Sequence, residues 1–163
     1  MRISRTTLAW TAVLALAAGA ARGETKANPA WEKMKTLVGA WEGREGDQPV
    51  SVTYTLVSNG TSLMESMNAQ HDMNMITMYS PDGDAIVATH YCAMGNQPRM
   101  RAASPDPQRV DFQFVDATNV KGDEPVMRRL VVTFQDADHF KQAWTERHQS
   151  KDETMDFVYT RKR

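Results

Sequence analysis

An all-β domain of short antiparallel strands behind one short helix is predicted by three observations along the chain. Apolar residues recur at every second position through most of the sequence, turn-forming residues punctuate those runs at short intervals, and no helical stretch is placed to cross over between strands. In a single domain such a pattern makes an up-and-down barrel or a sandwich.

The first 23 residues stand apart. Arg2 and Arg5 precede an apolar run of 14 residues, Leu8 to Ala21, and the small residues Ala21 and Gly23 lead into Glu24. This pattern predicts a secretory signal peptide over residues 1–23. The run is shorter than the roughly 18 to 20 residues that cross a bilayer. No cysteine stands at the cleavage region to take a lipid, and no twin arginine precedes the apolar run, so export in the unfolded state is expected. The expected location is therefore periplasmic or secreted, with no membrane anchor after cleavage. Residues 24–163 then form one domain of 140 residues, large enough for a substantial core.

Cleavage leaves 16 basic against 20 acidic residues, a net charge near minus four. That balance offers no footprint for nucleic acid, and the basic tail Arg161-Lys162-Arg163 is too short to make one. Cys92 is the only cysteine, so no intramolecular disulfide can form and stability has to come from packing.

The first element of the domain is a helix in NPAWEKMKTLVG, with Asn28 as cap, Pro29 at the first helical position, and Trp31, Met34 and Val38 near helical spacing before Gly39. The period then changes to two. VSVTYTLV puts Val50, Val52, Tyr54 and Leu56 on one face and Ser51, Thr53 and Thr55 on the other. Asn59-Gly60 predicts a hairpin into SLMESMNA. MNMITMY and DAIVATHYC form the next pair, with Pro81 opening a turn and Gly83 free to take a positive φ. QPRMRAA, RVDFQFV, VMRRLVVTF, HFKQAWTER and TMDFVYTR complete nine predicted strands.

Resemblance to known families favours a barrel over a sandwich. Gly39-Ala40-Trp41 matches the G-x-W signature of lipocalins, placed as it is there, after a short helix and at the entry to the first strand. The longer LVGAWEG resembles the opening of nitrobindin-like haem-binding barrels. THYC, GNQPRM and the terminal FVYTRKR resemble a group of secreted bacterial lipocalin-like (calycin) proteins of unknown function, over nearly all of residues 30–163. The resemblance implies a single antiparallel lipocalin-like β-barrel of about eight to ten strands, with a basic residue, here Arg161, laid across the Trp41 indole. The haem-binding group carries its axial histidine near the C-terminus. FVYTRKR has none, and His148 falls at a predicted turn, which argues against haem binding by that route.

Three chemistries compete for the candidate site, one of them resting on a stretch outside the segment THYCAMGNQPRM. A three-residue loop at 81–83 would place Ile76, Met78, Ile86, Ala88, His90 and Cys92 on one sheet face. A thiol enzyme would need His90 within reach of Cys92, yet residues two apart on a strand stand about 6.5 to 7 Å apart at their bases. A lone cysteine on a strand is more simply a small buried hydrophobe. A copper site is suggested by HDMNM, which puts His71, Met73 and Met75 on one face, a soft donor set suited to Cu(I). The remaining methionines are scattered, as deformable core or cavity lining would be.

The third chemistry, a barrel cavity for a small apolar or amphipathic molecule, fits the most observations. Its expected polar contacts are His90, Gln97 and Arg99, and its expected lining is Tyr54, Met78, Met100, Phe112, Phe114 and Trp144. His90 and Met100 are expected to turn inward from two strands joined by a turn at residues 93–96. The sequence therefore predicts an exported binding protein without catalysis, its partner a small hydrophobic molecule and its cofactor, if any, unidentified. The alternatives are a haem- or copper-binding barrel with redox chemistry, and a structural or interaction domain without a ligand.

Overall fold

Alternation of inward and outward side chains along ten strands closes the chain on itself as an antiparallel barrel. The computed structural model describes residues 28–68 and 74–163. The expected signal peptide, and His71 and Met73 of the copper set, lie outside the described residues. After helix α1 (Pro29–Lys35) come β1 (Gly39–Glu45), β2 (Gln48–Val57), β3 (Ser62–Asn68), β4 (Asn74–Asp82) and β5 (Ala85–Tyr91). The second half holds β6 (Gln97–Ala102), β7 (Arg109–Thr118), β8 (Val126–Phe134), β9 (His139–His148) and β10 (Lys151–Arg161). Each strand pairs with its neighbours in sequence, and β1 pairs with β10 to close the ring. The fold is the all-β antiparallel barrel with a short N-terminal helix that the sequence predicts.

One end of the barrel is closed by α1 and by a clamp around Trp41. The Asn28 side chain accepts from the Trp31 amide, capping the helix, and donates to the Ala85 carbonyl at the β4–β5 hairpin. Ala30, Trp31 and Met34 are buried beneath the helix, and Leu37 follows them inward. Val38, expected on the buried helical face, is 42 % exposed because the helix ends at Lys35 and the chain turns into β1. Trp41 donates its indole N–H to the Leu37 carbonyl at 2.7 Å, and the Arg161 guanidinium lies over the indole at 4.0 Å. Arg161 also donates to the Thr36 and Val38 carbonyls at 2.8 and 3.0 Å, tying the last strand to the segment before the first. Gly39 adopts φ +126° with its missing Cβ facing Arg161, so the glycine of the G-x-W motif makes room for this clamp.

Aromatic rings fill the barrel next to that closed end. Phe140 meets Trp41 edge-on at 4.7 Å and stacks on Tyr159 at 4.8 Å, while Tyr79 packs against Phe112 at 5.5 Å. At Gly43 a Cβ would stand 2.4 Å from the Tyr159 ring, so only glycine lets β1 approach β10 here.

Three local expectations need correction. β1 is a tenth strand beyond the nine predicted, inconspicuous because GAWEGRE carries one large apolar residue and two glycines. Leu56 is 38 % exposed, beyond the inward run of Val50, Val52 and Tyr54, because β2 is ending there. The β4–β5 turn lies at Gly83-Asp84, not at residues 81–83: Pro81 and Asp82 belong to β4 and pair with Ile86 and Ala85. That slip changes parity. Thr77 and Tyr79 share the inner face with Ala88 and His90, and Ile76 and Met78 move to the outer one.

Candidate functional site

Register creates a polar rung across the barrel interior. Tyr54 on β2 stands directly opposite Glu65 on β3, Glu65 opposite Thr77 on β4, and Thr77 opposite His90 on β5. All four are buried, because each lies on the inward parity of its strand. One oxygen of Glu65 accepts three hydrogen bonds of 2.7 Å, from the hydroxyls of Tyr54 and Tyr79 and the amide of Gln142. Burial pushes the Glu65 carboxyl up from its ordinary range, against the opposing pull of these donors and of the Thr77 hydroxyl. Burial together with the Glu65 charge pushes the Tyr54 and Tyr79 hydroxyls far above theirs, so both remain donors.

His90 ends the rung. It is 3 % exposed, its Nδ1 lies 2.9 Å from the Thr77 hydroxyl, and its ring sits 4.7 Å from that of Trp144. Its Nε2 is buried and has no hydrogen-bond partner among the described residues. Burial lowers the imidazole to about 4, so the ring is neutral at physiological pH. An unpaired polar atom in an apolar wall costs free energy unless something else meets it.

The inward residues beyond this rung, toward the end of the barrel opposite α1, surround a cavity of about 200 Å³. His90 and Trp144 border it, as do Cys92, Phe157 and five methionines: Met67, Met75, Met94, Met127 and Met155. Glu45 and Glu146, both half-buried, stand at its rim, and among the described residues no lysine or arginine lines it. Burial, together with the charges of Glu146 and Glu124, pushes the Cys92 thiol up, which keeps it protonated and a poor nucleophile.

The expected site residues separate into three groups. His90 and Trp144 border the cavity, and so does Met75 of the copper set, which pairs across the ladder with Met67. Tyr54, Met100 and Phe112 point inward but are buried in the filled half and do not line this cavity. Met78 lies on the outer face opposite Met64 and Thr89, a consequence of the corrected register. Arg99 points outward into a bidentate pair with Asp116, and Gln97 donates to the Gly95 carbonyl and accepts from Thr118. Phe114 is half-buried beneath the Arg128 guanidinium, 3.6 Å from its ring centre.

Met67, Met127, Met155, Phe157 and the two rim glutamates were not singled out from sequence. Their signal was parity, since each of Met67, Met155 and Glu146 lies two residues from an inward neighbour: Glu65, Phe157 and Trp144.

Fold and site together define a closed ten-stranded antiparallel barrel, consistent with a calycin or lipocalin-like fold, that is filled at one end and hollow at the other. No family model matches the chain, and no match was found among curated proteins.

Proposed function

We propose that this is an exported, periplasmic or secreted, non-catalytic binding protein that holds a small hydrophobic or amphipathic molecule in the open end of a lipocalin-like barrel. The observation that carries this reading is the cavity of about 200 Å³, walled by thioethers and aromatic rings, with the unpartnered Nε2 of His90 within its wall. A dry cavity of about 150 Å³ accepts benzene, so this space suits one ring with a short arm. A haem macrocycle does not fit inside it. Kinship with lipocalins is supported by the Trp41–Arg161 stack at the closed end.

Titration with 1-aminonaphthalene, neutral at pH 7, tests the reading. Saturable enhancement of its emission is expected, lost when Met127→Trp fills the cavity while the melting temperature is kept. Absence of saturable binding to the unaltered protein, or undiminished binding to the variant, would overturn it.

A further inference from the structure

The cavity has a chemical polarity that narrows its ligand, and two independent features define it. The first lies at the floor. Thr77 stands opposite both the buried Glu65 carboxyl and His90, and its hydroxyl lies 2.9 Å from His90 Nδ1. The neutral ring carries one proton, so the unmet Nε2 is an N–H donor or a bare acceptor according to which partner of the Thr77–Nδ1 bond donates. A hydroxyl, which both donates and accepts, satisfies this nitrogen in either form.

The second feature is at the rim. Among the described residues neither Glu45 nor Glu146 takes part in an ion pair, although the adjacent Arg147 is paired with Asp152. Glu124 adds negative potential on the same side, felt with Glu146 by the Cys92 thiol. Arg128 is drawn over Phe114 and does not border the cavity. Unpaired carboxylates around an apolar mouth attract a cation and repel an anionic headgroup.

The distance between the two features sets the ligand's length. Trp144 packs against His90, and Glu146 lies two residues, about 7 Å, further along β9 in the direction of the mouth. That span suits a single ring with a short aliphatic arm. Thioether sulfurs, as at Met67, Met127 and Met155, make favourable contacts with aromatic ring edges, and Trp144 and Phe157 present aromatic surface.

We infer that the ligand is a small arylalkylamine, whose ring hydroxyl bonds to His90 Nε2 and whose ammonium is held at the mouth by Glu45 and Glu146. This rests on the binding function proposed above and specifies its chemical class.

Tyramine is the probe, compared by calorimetry and by displacement of 1-aminonaphthalene with three relatives: phenethylamine lacks the ring hydroxyl, 4-ethylphenol lacks the amine, and 4-hydroxyphenylpropionate reverses the charge. Tyramine is expected to bind about three- to tenfold tighter than phenethylamine, the effect of one buried hydrogen bond. It should exceed 4-hydroxyphenylpropionate by at least about tenfold at low salt, a margin that shrinks as salt screens the rim. Glu45→Gln with Glu146→Gln should reduce tyramine to the affinity of 4-ethylphenol, with circular dichroism unchanged. His90→Phe should remove the preference for the hydroxyl. Equal or tighter binding of the carboxylate in the unaltered protein, where folding is not in question, overturns the inference while leaving the binding function intact. If neither the fluorophore nor any of the four probes binds, both fall together.

Discussion

The two ends of this barrel use different materials for the same task of lining an interior. Beside α1 the space is occupied by Trp41, Phe140, Tyr159, Tyr79 and Phe112, rigid rings locked edge-on or stacked and further fixed by hydrogen bonds from Tyr54 and Tyr79 to Glu65. At the mouth the equivalent positions belong to Met67, Met127 and Met155, unbranched and adaptable, and a cavity remains. Rings with few rotamers interdigitate to crystal-like density, whereas a flexible thioether wall tolerates a void and reshapes around an occupant. Rigid packing is thereby concentrated at one end and open space at the other, with His90 on the boundary.

The largest test of that division compares truncations at the two ends. Phe140→Ala should cost about 3 to 5 kcal/mol in urea denaturation, because the rings around it cannot collapse into the hole. Met155→Ala, half-buried beside space that already exists, should cost only about 1 kcal/mol. Similar losses at both positions would erase the distinction.

Acid should act at the boundary with nearly the same force. Burial holds the folded-state pKa of His90 at about 4, below the 6.5 of an ordinary histidine. The neutral ring is thus favoured by folding, and its contribution is fully present above pH 6.5 and is lost as pH falls toward 4. The loss amounts to about 3 kcal/mol. Facing groups are Thr77 and, through it, Glu65, with Trp144 beside the ring and Cys92 further along the strand. Glu65 acts in the opposite sense: its raised pKa favours the fold at low pH and opposes it as pH rises. The difference between the unaltered protein and His90→Gln isolates the histidine. A difference curve flat between pH 6.5 and 4 would show that His90 is not held neutral by its surroundings.

The smallest effect is expected at the clamp. Arg161→Lys keeps the charge but gives up the planar stack on Trp41 and the forked donation to two carbonyls, and should cost about 1 to 2 kcal/mol. A thermal melt indistinguishable from that of the unaltered protein would mean that Arg161 merely covers the end.

Strand alternation made the fold class legible, because inward and outward sets differ in polarity along segments such as Val50 to Tyr54. The Trp41–Arg161 contact followed from a motif and a resemblance, and the geometry agrees. The site was legible only in part. His90 and Trp144 were recognisable as inward candidates, but Pro81 looked like a turn residue while the positive φ needed for the hairpin is supplied by Gly83. The resulting register error hid Thr77 and Tyr79. Glu65 and Gln142 were passed over because polar residues on strands ordinarily face water, although Leu63 and Met67 flank the first, and Phe140 and Trp144 the second, on the same parity. Convergence of methionines from separate strands on one mouth depends on the closed ring, and spacing along the chain carries no such signal.

Closure of that ring also has a kinetic consequence. Nine of the ten ladders join strands adjacent in sequence, whereas the seam between β1 and β10 is non-local, and the Arg161 bond to Val38 across it spans 123 residues. Hairpins form in microseconds, while a seam that unites distant parts of the chain carries the larger loop-closure entropy. The ladder between β1 and β10 is therefore expected to assemble last and to open first. The Trp41–Arg161 clamp sits on that seam, so weakening it should accelerate unfolding while leaving the folding rate nearly unchanged.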